Sequence, residues 1–173
     1  MTTTVNSHRQ STGASPRIKQ VTWHDPLDTA RVATTLSGLD FLESIQRGQT
    51  PPPPIAALLN FEIVEVQKGR VVFTCTIDES VYNPIGMVHG GLVCTLADTV
   101  IGCAVHSTLE AGVGYSSIDL SVSYLRPVSL TSGPLRATGD VTKVGQRVGF
   151  AAASITDVND RVVATATGSC IIQ

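Results

Sequence analysis

The chain has few aromatic residues: one Trp, three Tyr and four Phe, 5% of its 173 residues. Hydrophobic residues still make up 42%, so the core must be packed from Val, Ala, Leu and Ile rather than from rings. Charge is also sparse, at 15% of residues with a formal net charge of -2. No broad basic surface is available, which argues against sequence-independent nucleic-acid binding. A small acidic ligand needs only a few local cations and stays possible. No apolar run reaches about 18 residues, so no membrane span is expected, and the polar first twenty residues lack a signal-peptide core. The four cysteines, Cys75, Cys94, Cys103 and Cys170, form no C-x-x-C pair and sit in apolar stretches. They are expected to be free thiols in a cytoplasmic protein.

Familiar catalytic signatures are missing too. There is no G-x-S-x-G elbow for a serine hydrolase, no H-E-x-x-H zinc motif, no Walker loop and no G-x-G-x-x-G after a strand. His89 and His106 are too far apart to be paired as ligands on one helix face, and no metal site is expected.

What is present divides the chain into three segments. Residues 1-25 are rich in Thr, Ser, Gln and Arg without periodicity and read as a mobile tail. Residues 26-54 begin with a loose helical stripe of Leu36, Leu39, Phe41, Leu42 and Ile45. Gly48 and then Pro51 to Pro54 stop it, a run that predicts a stiff spacer. Residues 55-173 form the main domain. In it, 60-79 reads as two short strands about Lys68-Gly69, and 89-108 as a helix apolar on nearly every face, hence buried all round. Four strand-like runs follow, near 115-126, 134-144, 147-158 and 161-172. In the first, Ile118, Leu120, Val122 and Tyr124 alternate with Ser117, Asp119, Ser121 and Ser123, the period of a half-exposed strand. Short links containing Pro127, Gly133-Pro134, Gly145 and Asn159-Asp160 predict an antiparallel meander. The fold class is α+β.

Chemistry concentrates between Asn83 and Asp98. His89-Gly90-Gly91 opens the apolar helix, where free N–H groups suit an anion or a polarised carbonyl. Asp98 is the sole carboxylate between Glu79 and Glu110. An unpaired carboxylate in an apolar helix is costly to bury, so Asp98 is expected to be paired or functional. His106, near the helix C-terminus, is expected to complement the helix dipole when protonated.

N-x-x-G-x-x-H-G-G followed by L-A-D, then a strand ending Y-L-R-P, resembles the hotdog-fold acyl-CoA thioesterases of the PaaI (phenylacetic acid degradation) type. The resemblance covers about residues 55-173. Ser37-Gly38-Leu39 and the proline run also resemble an extension of some bacterial members. The resemblance implies a long central helix wrapped by a curved antiparallel sheet, and dimers that pair into a homotetramer. It implies hydrolysis of aromatic or short- to medium-chain acyl-CoA, with no cofactor beyond the coenzyme A of the substrate. It makes Asp98 the general base or nucleophile and Gly90 the backbone donor to the thioester carbonyl. Asn83 and His89 would position water and substrate, and Ser117 would assist the acid.

Gly90 and Asp98 are eight residues apart, about 12 Å along a helix. One carbonyl carbon cannot easily meet both from one chain, which points to a site shared between two. Arg126, Lys143 and Arg147 follow strands and are candidates for coenzyme A phosphates. Two other readings stay open: a hotdog acyl-thioester dehydratase or hydratase, and a non-catalytic acyl-CoA-binding sensor.

Overall fold

The computed structural model describes residues 15–173; the first fourteen residues of the expected tail lie outside it. Residues 15–25 form no helix or strand. They are not wholly untethered, because the Lys19 ammonium reaches Asp78 Oδ2 at 2.6 Å and the Leu58 carbonyl at 2.9 Å.

The stripe expected over 25–47 is two helices, α1 (Pro26–Ala33) and α2 (Gly38–Gln46). The break has a local cause. Thr34 and Thr35 hydroxyls bond back to the Arg31 and Val32 carbonyls, and Ser37 caps a new helix by accepting from the Asp40 N–H. The last proline of the run, Pro54, starts a short helix α3 (Pro54–Leu59), where its missing N–H is harmless. Phe41 and Leu42 of α2 and Ala56 of α3 belong to the buried core.

Six antiparallel strands follow: β1 (Phe61–Gln67), β2 (Arg70–Cys75), β3 (Tyr115–Tyr124), β4 (Leu135–Val144), β5 (Val148–Thr156) and β6 (Val162–Ile172). The long helix α4 (Gly90–His106) lies between β2 and β3 in the chain and packs across the sheet. The spatial order is β1-β2-β4-β5-β6-β3, so the expected meander is corrected at one point. β3 does not pair with β4. Residues 125–134 carry the chain from one edge of the sheet to its interior, leaving β3 as an edge strand beside β6 alone.

The shortage of aromatics is explained by how closely helix and sheet approach. The inner face of β4 and β5 carries Leu135, Ala137, Gly139, Gly149, Ala151, Ala153 and Ile155. A Cβ on Gly139 would lie 2.2 Å from the Val100 carbonyl oxygen of α4. Gly139→Ala must therefore push helix and sheet apart. It should cost about 1–3 kcal/mol, the usual range for overpacking, read as a lower urea midpoint at unchanged m-value.

Helix α4 is not buried all round. Leu92, Val93, Leu96, Ala97, Val100, Ile101, Ala104 and Val105 are buried, whereas Gly91, Cys94, Thr95, Asp98, Thr99 and Cys103 form a half-buried stripe. The helix packs against β2, β4, β5, β6 and the edge strand β3, and α2 also touches it.

The alternation expected in β3 is broken by a bulge. Ser117 pairs with Cys170 and Asp119 with Ser169, so Ile118 has no partner and is 54% exposed. A one-residue slip exchanges the two faces of a strand. Before the bulge, Tyr115 and Ser117 therefore face α4, where the simple alternation would have placed Ile118.

Candidate active site

The bulge determines what Asp98 meets. Ser117 Oγ donates to Asp98 Oδ1 at 2.7 Å, while the neighbouring Ser116 hydroxyl instead accepts weakly from Gln173 at 3.4 Å. Asp98 thus has a charge-assisted partner on one side and stays half-buried on the open stripe.

At the other end of β3, Tyr124 Oη donates to the Gly90 carbonyl at 3.1 Å and lies 2.8 Å from Cys94 Sγ. The bond with Cys94 pushes the phenol up to about 12, so Tyr124 is a neutral donor. No role was read for it in the sequence, although it sits within the Y-L-R-P motif. Its signal is the missing side chain at Gly90, where a Cβ would lie 3.1 Å from the tyrosine ring.

Gly90 is the first residue of α4, and its N–H has no acceptor among the described residues. The next N–H, of Gly91, is capped by His89 Nδ1 at 2.8 Å. Asn83 Oδ1 accepts from Ile85 and Met87 N–H groups, both at 3.1 Å. Both polar side chains thereby shape the turn that presents the helix start. Asn83, His89, Gly90, Tyr124 and Arg126 line one cleft of about 520 Å³.

The three candidate cations do not converge. Arg126 follows the end of β3 and donates to the Val162 carbonyl. Lys143 is exposed near the end of β4, and Arg147 is exposed in the β4–β5 turn. The Arg147 carbonyl accepts from Ile172, which pairs with Tyr115 at the start of β3. The two groups are thus separated by the length of β3, ten residues or about 30 Å.

Burial settles other titratable neighbours. It pushes the Cys103 thiol up to about 12, assisted by the nearby Asp98 charge. It also raises Cys170, so both thiols stay protonated. His106 is shifted down by burial, which corrects the expected dipole partner: desolvation outweighs the helix end, and the ring is neutral between Phe41 and Tyr115, with centroids 5.6 and 5.2 Å away. Among the described residues, no three His, Cys, Asp or Glu side chains gather as a metal site, and no helix is long and apolar enough to cross a membrane.

Known proteins share the sequence pattern and the fold. Residues 85–164 match the family model of the thioesterase superfamily. Human acyl-coenzyme A thioesterase 13 is 31% identical over 111 residues, 64% of this chain and 73% of the human protein. An esterase-like protein of Halobacterium salinarum is 44% identical over 84 residues, 47% of this chain, which spans only 54% of that relative. The crystal structure of a phenylacetic acid degradation-related protein from Ralstonia eutropha superposes with a TM-score of 0.69 at 30% identity, covering 75% of this chain and 98% of the other. The helix-in-sheet architecture is the hotdog fold expected from the motif. The chain belongs to the thioesterase superfamily.

Proposed function

We propose that the protein hydrolyses acyl-coenzyme A, with aromatic or short- to medium-chain acyl groups, at a site completed by two copies of the chain. The observation that carries this reading is the placement of two half-sites along one edge strand. Asp98 and Ser117 stand near the start of β3, and Gly90 with Tyr124 at its end. Among the described residues, the outer edge of β3 has no strand partner. Two copies paired antiparallel along it, with the dyad near Leu120 and Ser121, would set Ser117 of one opposite Tyr124 of the other. The Asp98 half-site of each copy would then face the Gly90 half-site of its partner, giving two equivalent sites per dimer.

In that arrangement the thioester carbonyl accepts from the Gly90 N–H, whose helix-end dipole stabilises the oxyanion. Asp98 takes a proton from water as hydroxide adds to the carbonyl carbon, and returns it to the departing coenzyme A thiolate. Direct attack by Asp98, followed by hydrolysis of the mixed anhydride, uses the same groups. Labelling of Asp98 after a single turnover in ¹⁸O-water would establish direct attack, with water opening the mixed anhydride at the Asp98 carbonyl. Arg126, which lines the Gly90 cleft, would meet coenzyme A phosphates. Lys143 and Arg147 would approach the same site from the partner copy. Coenzyme A arrives as part of the substrate, and the buried free thiols suit a reducing, cytoplasmic setting.

The test is a hydrolysis panel of aromatic, short- and medium-chain acyl-CoAs with release of free thiol as readout. No turnover of any of them overturns the reading. Within it, Ser117→Ala should lower kcat by about 10- to 100-fold, the equivalent of losing a charge-assisted hydrogen bond. Ser116→Ala should leave kcat unchanged, and equal losses in the two variants would deny Ser117 its role.

A further inference from the structure

A second cavity, of about 410 Å³, lies between α2, α3, β1 and the open stripe of α4. We propose that it holds the apolar acyl group of the substrate, so that the helical extension sets the length of chain the enzyme accepts. The proposal rests on the thioesterase reading and adds a place for the part of the substrate that the Gly90 cleft leaves over.

Position is the first argument. Thr99, Cys103 and His106 form one wall, spaced to share a helix face. That wall begins one residue from Asp98 and continues about 10 Å to His106. Tyr115, on the same side of β3 as Ser117, closes the neighbouring wall. The cavity therefore borders, at Thr99 and Tyr115, both elements that hold the carboxylate.

Composition is the second argument. Three of the four phenylalanines in the chain, Phe41, Phe61 and Phe73, line this one space. A protein that packs its remaining core from small aliphatic residues has gathered its rings around an opening. Rings give broad apolar walls that suit an alkyl or aryl group. Burial holds the inner Cys103 thiol protonated and the His106 imidazole neutral, and the one carboxylate of the lining, Glu62, is solvent-exposed.

Packing is the third argument. Interiors are filled nearly to crystal density, and unfilled apolar space is destabilising. A cavity of this size falls within the roughly 300–1,000 Å³ usual for small-molecule sites. The roof comes from Leu42 and Ile45 of α2 and Ile55 of α3. Because α2 and α3 precede the residues matched by the family model, the roof can vary without touching the catalytic half-sites.

The experiment compares kcat/KM for acetyl-, butyryl-, octanoyl- and decanoyl-CoA in the full chain. Ile45→Trp fills the cavity, and Ile55→Trp does so from the rim, where Ile55 is 43% exposed and a larger ring is tolerated if the first variant fails to fold. In either, the octanoyl-to-acetyl ratio should fall about tenfold, the scale on which a hydrophobic pocket discriminates chain length. Ile45→Ala should move the preferred length upward. Equal changes for all four substrates, or an unshifted ratio in folded variants, overturn the proposal while leaving the thioesterase reading standing. If the unsubstituted protein hydrolyses none of the four and no aromatic acyl-CoA either, that reading falls and free octanoate becomes the probe. Saturable octanoate binding that Ile45→Trp or Ile55→Trp abolishes supports the cavity as an acyl site, and no binding overturns it.

Discussion

Asp98→Asn should lower kcat/KM for acyl-CoA hydrolysis by about 10²- to 10⁴-fold, the range supplied by a positioned general base, with little change in Tm. The amide oxygen of Asn can still accept from Ser117, so the link between α4 and β3 survives and the protein stays folded. No neighbouring group is ready to substitute. Asp119 is bonded to Ser169, His89 caps the helix start, and the Cys103 thiol is held protonated with its value near 12. Steady-state kinetics and a thermal melt decide the matter together. A folded Asp98→Asn protein with parental turnover would remove Asp98 from the mechanism. A large loss of Tm would recast it as a structural residue.

The second large effect is a recovery. Gly90→Pro deletes the carbonyl donor, and Asp98→Asn deletes the base, so each variant alone should be nearly inactive. Proline is tolerated at the first position of a helix. The preceding His89, at φ -64 and ψ 133, already has the extended backbone that a following proline requires. The added ring atoms crowd Tyr124, but that side chain is largely exposed and can swing aside. Mixed at random, about half the dimers contain one of each chain. Such a dimer has one site with both defects and one with neither, so activity should return to about a quarter of the parent. Co-refolding, with circular dichroism of each variant alone and proof of mixed dimers, is the measurement. Mixed dimers without recovered activity would place Gly90 and Asp98 in the same site of one chain, or remove Gly90 as donor.

Much of this was legible in the sequence because the signals were local. A long apolar run gave α4, turn residues separated the strands, and a lone carboxylate among aliphatic residues marked Asp98. The errors arose where tertiary contacts outweighed local pattern. Alternation in β3 placed Ser117 on the polar face, away from the helix. The bulge at Ile118 reverses that face, and only the family resemblance had assigned Ser117 to the acid. The β3–β4 link looked like any other short connection, yet it crosses the sheet. His106 was assigned by the dipole at its helix end, whereas burial lowers its pKa, and the rings packed on it, Phe41 and Tyr115, come from distant parts of the chain. Tyr124 went unnoticed as a polar group because its partner is a backbone carbonyl, which sequence does not display.

The crossing of β3 to the far edge also bears on how the chain comes together. Tyr115 pairs with Ile172 and Tyr124 with Ala164, so the strand's backbone partners are synthesised 40 or more residues after it. The β1–β2 and β4–β5–β6 hairpins can close over short loops, but β3 must wait for β6, and its long loop closure makes a slow, late step. Until then Ser117 has no fixed strand on which to reach Asp98. Catalytic competence should accordingly lag behind the gain of most β structure during refolding, and a nascent chain lacking β6 would carry α4 with its acid but without the strand that orients it.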